Sequence, residues 1–191
     1  AGTHLERKNI KKLKSNYYHK SLNAYLSRKV KIIDEKSLDK YLKGSPDYIV
    51  IAISSLGIDW VCDKLIKNYK KKLSIILLTK GLVKDGNKVI TISNKINKIF
   101  NKKNLPNQDI TSIKGPCLAA GLINKIRTST VIANRNINNA KKIQKLISTN
   151  YYNTEISKDI NGVETMGAIK NIYAMLVGAS LGLSGKSQKF K

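Results

Sequence analysis

The sequence predicts an α/β domain, a mostly parallel β-sheet with flanking helices, followed by one long helix that begins a separate helical unit. Three observations carry this. The runs DYIVIAIS at 47–54 and LSIILLT at 73–79 are continuous and β-branched, the pattern of strands covered on both faces. Between them Ile58, Val61, Cys62 and Leu65 recur at offsets of three, four and seven, a core-facing helical stripe. Strand and helix then alternate as far as residue 157, and residues 159–184 follow as an almost wholly apolar or small segment.

Taken in order, residues 8–15 read as a short basic helix and 16–27 as an irregular or partly helical connection. VKIID at 30–34 reads as a strand, and 37–43 as a small helix capped by Ser37 and broken by Gly44, Ser45 and Pro46. Trp60 falls outside the stripe of the next helix and is expected to pack elsewhere. After the strand at 73–79, residues 88–100 are expected to be helical throughout, because Val89, Ile92, Ile96 and Ile99 keep helical spacing. A short strand at 109–113 runs into Gly115-Pro116-Cys117, and 118–124 turns helically. Residues 128–133 read as a strand, 136–148 as a basic amphipathic helix and 151–157 as the last strand.

The formal net charge is +24. Such a balance suits nucleic acid or an anionic membrane, but the lysines are spread along every segment, and the chain is rich in Lys, Asn and Ile together. Compositional drift explains it better, and a phosphorylated substrate is compatible. NYYHK at 16–20 is a single aromatic-basic cluster that either stacks bases or packs at a domain edge. Cys62 and Cys117 are too few for a disulfide framework, and with His4 and His19 they make no metal constellation, which suggests reduced thiols and a cytoplasmic protein. The apolar run after Gly162 is interrupted by Glu164, Lys170 and Asn171, so it is not read as a membrane span.

That interruption is the first candidate site. On a helix, Met166, Gly167, Tyr173 and Ala174 lie one turn either side of Lys170, so the amine projects from an apolar or glycine-lined face. Either Lys170 is desolvated, which lowers a lysine's pKa and lets it exchange protons, or it snorkels from a rim or pairs with Glu164. The second candidate lies at the strand ends. In open α/β sheets ligands bind beyond the carboxyl ends of the strands, and Ser54-Ser55, Lys80-Gly81 and Gly115-Pro116 all fall there. Singly, each has a plainer reading as a helix cap, a turn glycine or a strand terminator.

Read together, LLTKGL at 77–82, GPCLAAGL at 115–122 and DINGVETMGAIKNIYAMLVGASLGL at 159–183 resemble the NAD(P)-dependent glycerol-3-phosphate dehydrogenases. The last segment matches the family's G-V-E-x-x-(G/A)-A-x-K-N-x-x-A almost throughout. The resemblance implies a Rossmann-like domain binding NAD or NADP over residues 1–158. Residues 159–191 would then be the first helix of a C-terminal helical substrate domain, in a homodimer acting on dihydroxyacetone phosphate and glycerol 3-phosphate. It implies Lys170 as proton donor and acceptor, Lys80 as a contact to substrate and cofactor, and Asn171 as a substrate-holding amide. It further implies cofactor contacts from Ser54, Ser55, Lys80, Gly115, Cys117 and Ala119. Cys117 replaces a usual serine, threonine or asparagine, and Gly121 a usual glutamate. Gly167 is expected to leave room for the nicotinamide.

The fingerprint G-x-G-x-x-G is absent, which fits a chain lacking the family's N-terminal part; residues 2–6 would then end the second strand, with Glu6 near an adenosine ribose. The family's phosphate clamp and further catalytic acid would lie beyond Lys191, so residues 1–191 alone are expected to be inactive. Two other readings stay open at this point. One is a β-hydroxyacid-type dehydrogenase with a catalytic lysine; the other is a basic nucleic-acid-binding module, distinguished by salt-dependent binding that NADH does not displace.

Overall fold

A computed structural model describes residues 6–183 of the chain. Of the strand end expected over residues 2–6, residues 2–5, His4 among them, lie outside the described residues, as does Ser184; Glu6 is not extended but stands just before α1, at φ −105° and ψ 12°. The described chain opens with the basic helix α1 (Arg7–Asn16) and a small antiparallel hairpin of β1 (Tyr18–His19) and β2 (Ala24–Tyr25). This hairpin accounts for the aromatic-basic run. Tyr18 packs on Tyr25 with ring centroids 5.1 Å apart, and its hydroxyl lies 2.6 Å from Asn23 Oδ1.

The strand expected over 30–34 does not form; only Asp34 makes an isolated bridge. Its carboxylate instead accepts the Ser37 N–H at 3.1 Å and starts the turn leading into α2 (Leu38–Leu42). Asp34, not Ser37, is the cap, because a short carboxylate competes for local backbone donors more readily than it extends a strand. The Lys14 ammonium at 2.9 Å, together with Ser37, holds the Asp34 carboxyl at about 2.

Next come β3 (Ile49–Ile51), α3 (Ile58–Asn68) and β4 (Ser74–Leu77). Residues 88–100 are a further departure from expectation. The chain forms a hairpin of β5 (Leu82–Asp85) and β6 (Lys88–Thr91) before α4 (Ile92–Asn101) begins. The two-residue turn is Gly86-Asn87, with Gly86 at φ 59°, and Gly-Asn between two such strands is a hairpin signal that outweighs the helical spacing of Val89. Thr91 caps α4 by accepting the Asn94 N–H. The remaining elements are β7 (Asp109–Lys114), α5 (Ala119–Ile123), β8 (Thr128–Ala133), α6 (Ile137–Ile147), β9 (Tyr152–Ser157) and α7 (Ile160–Leu183).

Among the described residues five strands form the central sheet, in the order β3-β4-β7-β8-β9. All neighbours are parallel except β7 and β8. The only helix joining those two is the five-residue α5, too short to carry the chain back along the sheet, so β8 returns in the opposite direction. Alternation along the strands feeds two cores. Ile75 and Leu77 join α3 and α4 residues such as Cys62, Ile96 and Phe100 on one face; Ile76, Ile113 and Ile132 meet Ala140 and Ile143 of α6 on the other. Trp60, partly exposed, lines a groove with Leu38, Ile49 and Val61.

α7 runs along the sheet beside β7. Its first turns are anchored by buried Ile160 and Glu164, whereas residues 170–183 are exposed, Met175 and Leu176 among them. By length and composition alone this helix would be long and apolar enough to cross a membrane, with a mean hydropathy of 1.3. Its opening turns nonetheless belong to the packed sheet.

The hairpin makes a stability prediction. Val89 is 68% exposed, so Val89→Ala should cost less than about 0.5 kcal/mol in urea denaturation. Phe100 is fully buried, and Phe100→Ala should cost about 3–5 kcal/mol. A large loss at Val89 would restore the all-helical reading of 88–100.

Candidate active site

The parallel strands β3, β4 and β7 end side by side, with Ile51 opposite Leu77 and Leu77 opposite Ser112. Their carboxyl ends bring together the three loops predicted from sequence. Gly81 adopts φ 122°, a conformation favouring glycine, and an added Cβ there would lie 3.8 Å from Ser55 Cβ, so the β3 and β4 tips adjoin. Gly115 is required by packing instead. A Cβ there would sit 2.6 Å from the Ser129 carbonyl oxygen, because the chain crosses the start of β8.

Beyond these tips lies a cleft of ≈ 510 Å³ whose lining includes Lys80, Gly115, Val131, Met166, Gly167 and Lys170. The two lysines singled out from sequence thus reach one cavity from separate elements. Lys80 leaves the tip of β4, and Lys170 leaves the middle of α7. Pro116, Val131, Val163 and Met166 give the cleft apolar walls, and the lysines give it cationic ones. Such a lining suits a planar, partly apolar ring held beside an anionic group, which the nicotinamide end of a dinucleotide with a phosphorylated substrate would supply.

Three readings of this site change. Lys170 is exposed, so of the readings left open for it the desolvated one is absent here: Tyr173 and Ala174 face outward with it. The alternative pairing with Glu164 is not formed either, because six residues on a helix leave the two side chains off a common face. Glu164 is buried, with 1% of its surface exposed, and its Oε2 accepts the Ser93 N–H at 3.1 Å. It thereby serves the first turn of α4, where a negative charge is stabilised. Gly167 does not open space for a ring. An added Cβ would meet Lys114 Cγ and Cδ at 3.1 Å and Cβ at 3.2 Å, so the room left by the missing side chain is filled by the lysine stem.

Lys114 is the residue that sequence reasoning missed. It is the last residue of β7, only 4% exposed, and its Nζ donates to the Leu77 carbonyl oxygen at 2.9 Å. Burial pushes its ammonium down to about 8; the charge of Glu164 opposes that shift and the charge of Lys80 adds to it. A signal was present, since the two central strand tips share a Lys-Gly pair, Lys80-Gly81 and Lys114-Gly115.

The other predicted residues lie outside the lining of this cleft. Ser54 is exposed and Ser55 partly buried at the β3 tip; Ala119 is exposed at the start of α5, and Asn171 is exposed on α7. Cys117 is partly buried and lies close enough to Tyr152 to help raise the pKa of its phenol, which burial raises first.

A family model described as the N-terminus of NAD-dependent glycerol-3-phosphate dehydrogenase matches residues 4–140. The glycerol-3-phosphate dehydrogenase (NAD(P)+) of Clostridium botulinum (strain Eklund 17B / Type B) is 29% identical over 82% of this chain and 52% of its own. The NADP(+)-dependent glycerol-3-phosphate dehydrogenase of Archaeoglobus fulgidus is 26% identical over 92% of this chain and 51% of its own. The chain therefore spans about half the length of these curated relatives. Among solved structures, the glycerol-3-phosphate dehydrogenase of Coxiella burnetii has a TM-score of 0.75 at 23% identity, covering 95% of this chain and 53% of that one. DsGPDH of Dunaliella salina has a TM-score of 0.76 at 22% identity, covering 96% of this chain and 30% of that one. These likenesses establish a shared Rossmann-like fold, and the family match decides the membership: this chain belongs to the NAD-dependent glycerol-3-phosphate dehydrogenase family.

Proposed function

We propose that the protein is an NAD(P)-dependent glycerol-3-phosphate dehydrogenase, reversibly reducing dihydroxyacetone phosphate to sn-glycerol 3-phosphate for glycerophospholipid synthesis in the cytoplasm, as a homodimer. The observation that carries this reading is the shared cleft of Lys80 and Lys170, in a chain whose residues 4–140 match the family. Residues 1–158 would form the cofactor domain and 159–191 the start of the substrate domain. The exposed apolar side chains on the second half of α7 are a surface that such a domain would bury.

When bound, the dinucleotide supplies the hydride that the ketone carbon accepts. As charge develops on the ketone oxygen, Lys170 Nζ gives up a proton to it, completing the hydroxyl. Lys80 stabilises the same developing charge and attracts the phosphate. In the reverse direction a neutral Lys170 takes the hydroxyl proton. Asn171, next to Lys170, would hold the substrate. Ser54, Ser55, Lys80, Gly115, Cys117 and Ala119 would border the cofactor along the strand tips.

The test is NADH or NADPH oxidation with dihydroxyacetone phosphate, using protein expressed from the complete reading frame. Lys170→Ala should lower kcat on the order of 10²–10⁴-fold while NADH binding is retained; near-normal turnover would refute the assignment. Lys80→Ala should lower kcat on the order of 10²–10³-fold and also weaken substrate affinity. Unchanged kinetics there would reduce Lys80 to a turn residue.

A further inference from the structure

The Lys114 side chain joins the three elements around which the two cleft lysines are placed: β4, β7 and α7. It belongs to β7, its Nζ holds the Leu77 carbonyl three residues before Lys80, and its stem fills the notch at Gly167 three residues before Lys170. It also lines the cleft between the two exposed lysines. A buried ammonium that served only packing would be poorly matched to its surroundings, since an apolar side chain of similar volume fills a core without desolvating a charge. Here each part of the side chain is used: the methylenes set how closely α7 approaches β7, and the amine fixes where β4 ends.

We infer that Lys114 is a positioning residue for the proposed reaction, setting the separation of Lys80 and Lys170 by tying the tip of β4 to α7 across the end of β7. This rests on the reading given under Proposed function. The groups facing the Lys114 amine are the Leu77 carbonyl from β4, the Lys80 amine beyond it and the Glu164 carboxylate from α7. Loss of its proton removes the attraction to Glu164 and weakens the charge-assisted bond to Leu77. Since burial holds that amine down at about 8, the tie loosens within the range an enzyme assay reaches.

The experiment pairs kinetics with amide hydrogen exchange on protein from the complete reading frame. Lys114→Met keeps the stem and removes the amine. It should lower kcat on the order of 100-fold with KM changed much less, abolish a fall in kcat above about pH 8 present in the parent, and speed exchange at residues 78–82. Gly167→Ala, which crowds the stem without touching the amine, provides a second route and should speed exchange over the same residues. Parental kcat and unaltered exchange at 78–82 in Lys114→Met would overturn the inference, as would a uniform loss of activity that left the alkaline fall in kcat intact. If the parent itself fails to turn over dihydroxyacetone phosphate, the dehydrogenase reading falls, while exchange at 78–82 still decides whether Lys114 ties β4 to α7.

Discussion

The cleft depends on how closely α7 lies against the tip of β7. A helix packed on a sheet ordinarily stands off by the length of its side chains, but at Gly167 there is none, and the Lys114 stem occupies the gap at 3.1 Å from where a Cβ would be. That approach determines where Lys170, one turn later, meets the strand tips.

Electrostatics reinforce the same junction. Desolvating an isolated ammonium costs several kcal/mol, and here burial, with the Lys80 charge adding to it, pushes Lys114 down to about 8. The Leu77 carbonyl and the buried Glu164 offset that cost in part. Glu164 in turn is fixed by the first turn of α4, through the Ser93 N–H, while its Oε1 has no partner among the described residues. Thr91 and Asn94 at the same helix start bond Asn161 of α7. The base of α7 is thus held by the amino end of α4 and its middle by the carboxyl end of β7, which together fix its axis.

Much of this was legible in the sequence, for reasons that differ by element. The buried strand β4 and the stripe of α3 announce themselves because burial on both faces, or on one helical face, leaves a hydrophobic signature. The three strand-tip loops were legible only together: each has a plainer reading singly, but Ser54-Ser55, Lys80-Gly81 and Gly115-Pro116 all fall at carboxyl ends of strands. Residues 30–34 and 88–91 misled for opposite reasons. The first is a β-branched run whose Asp34 finds a closer partner in Ser37; the second keeps helical spacing by accident next to a stronger Gly86-Asn87 turn. Burial of a charge cannot be read from residue type. Lys170 sits among apolar neighbours in sequence yet is exposed, whereas Lys114, ending a polar-looking DITSIK, is buried because β4, β8 and α7 close around it.

The proposed chemistry requires Lys80 and Lys170 to act on one reacting oxygen. A crystal structure of the complete protein with NADH and a ketone-phosphate substrate analogue tests it most directly. Both Nζ atoms should lie within hydrogen-bond distance of the analogue's carbonyl oxygen, with the analogue in the cleft between β7 and α7. An analogue bound elsewhere, or either amine turned away into solvent, would contradict it.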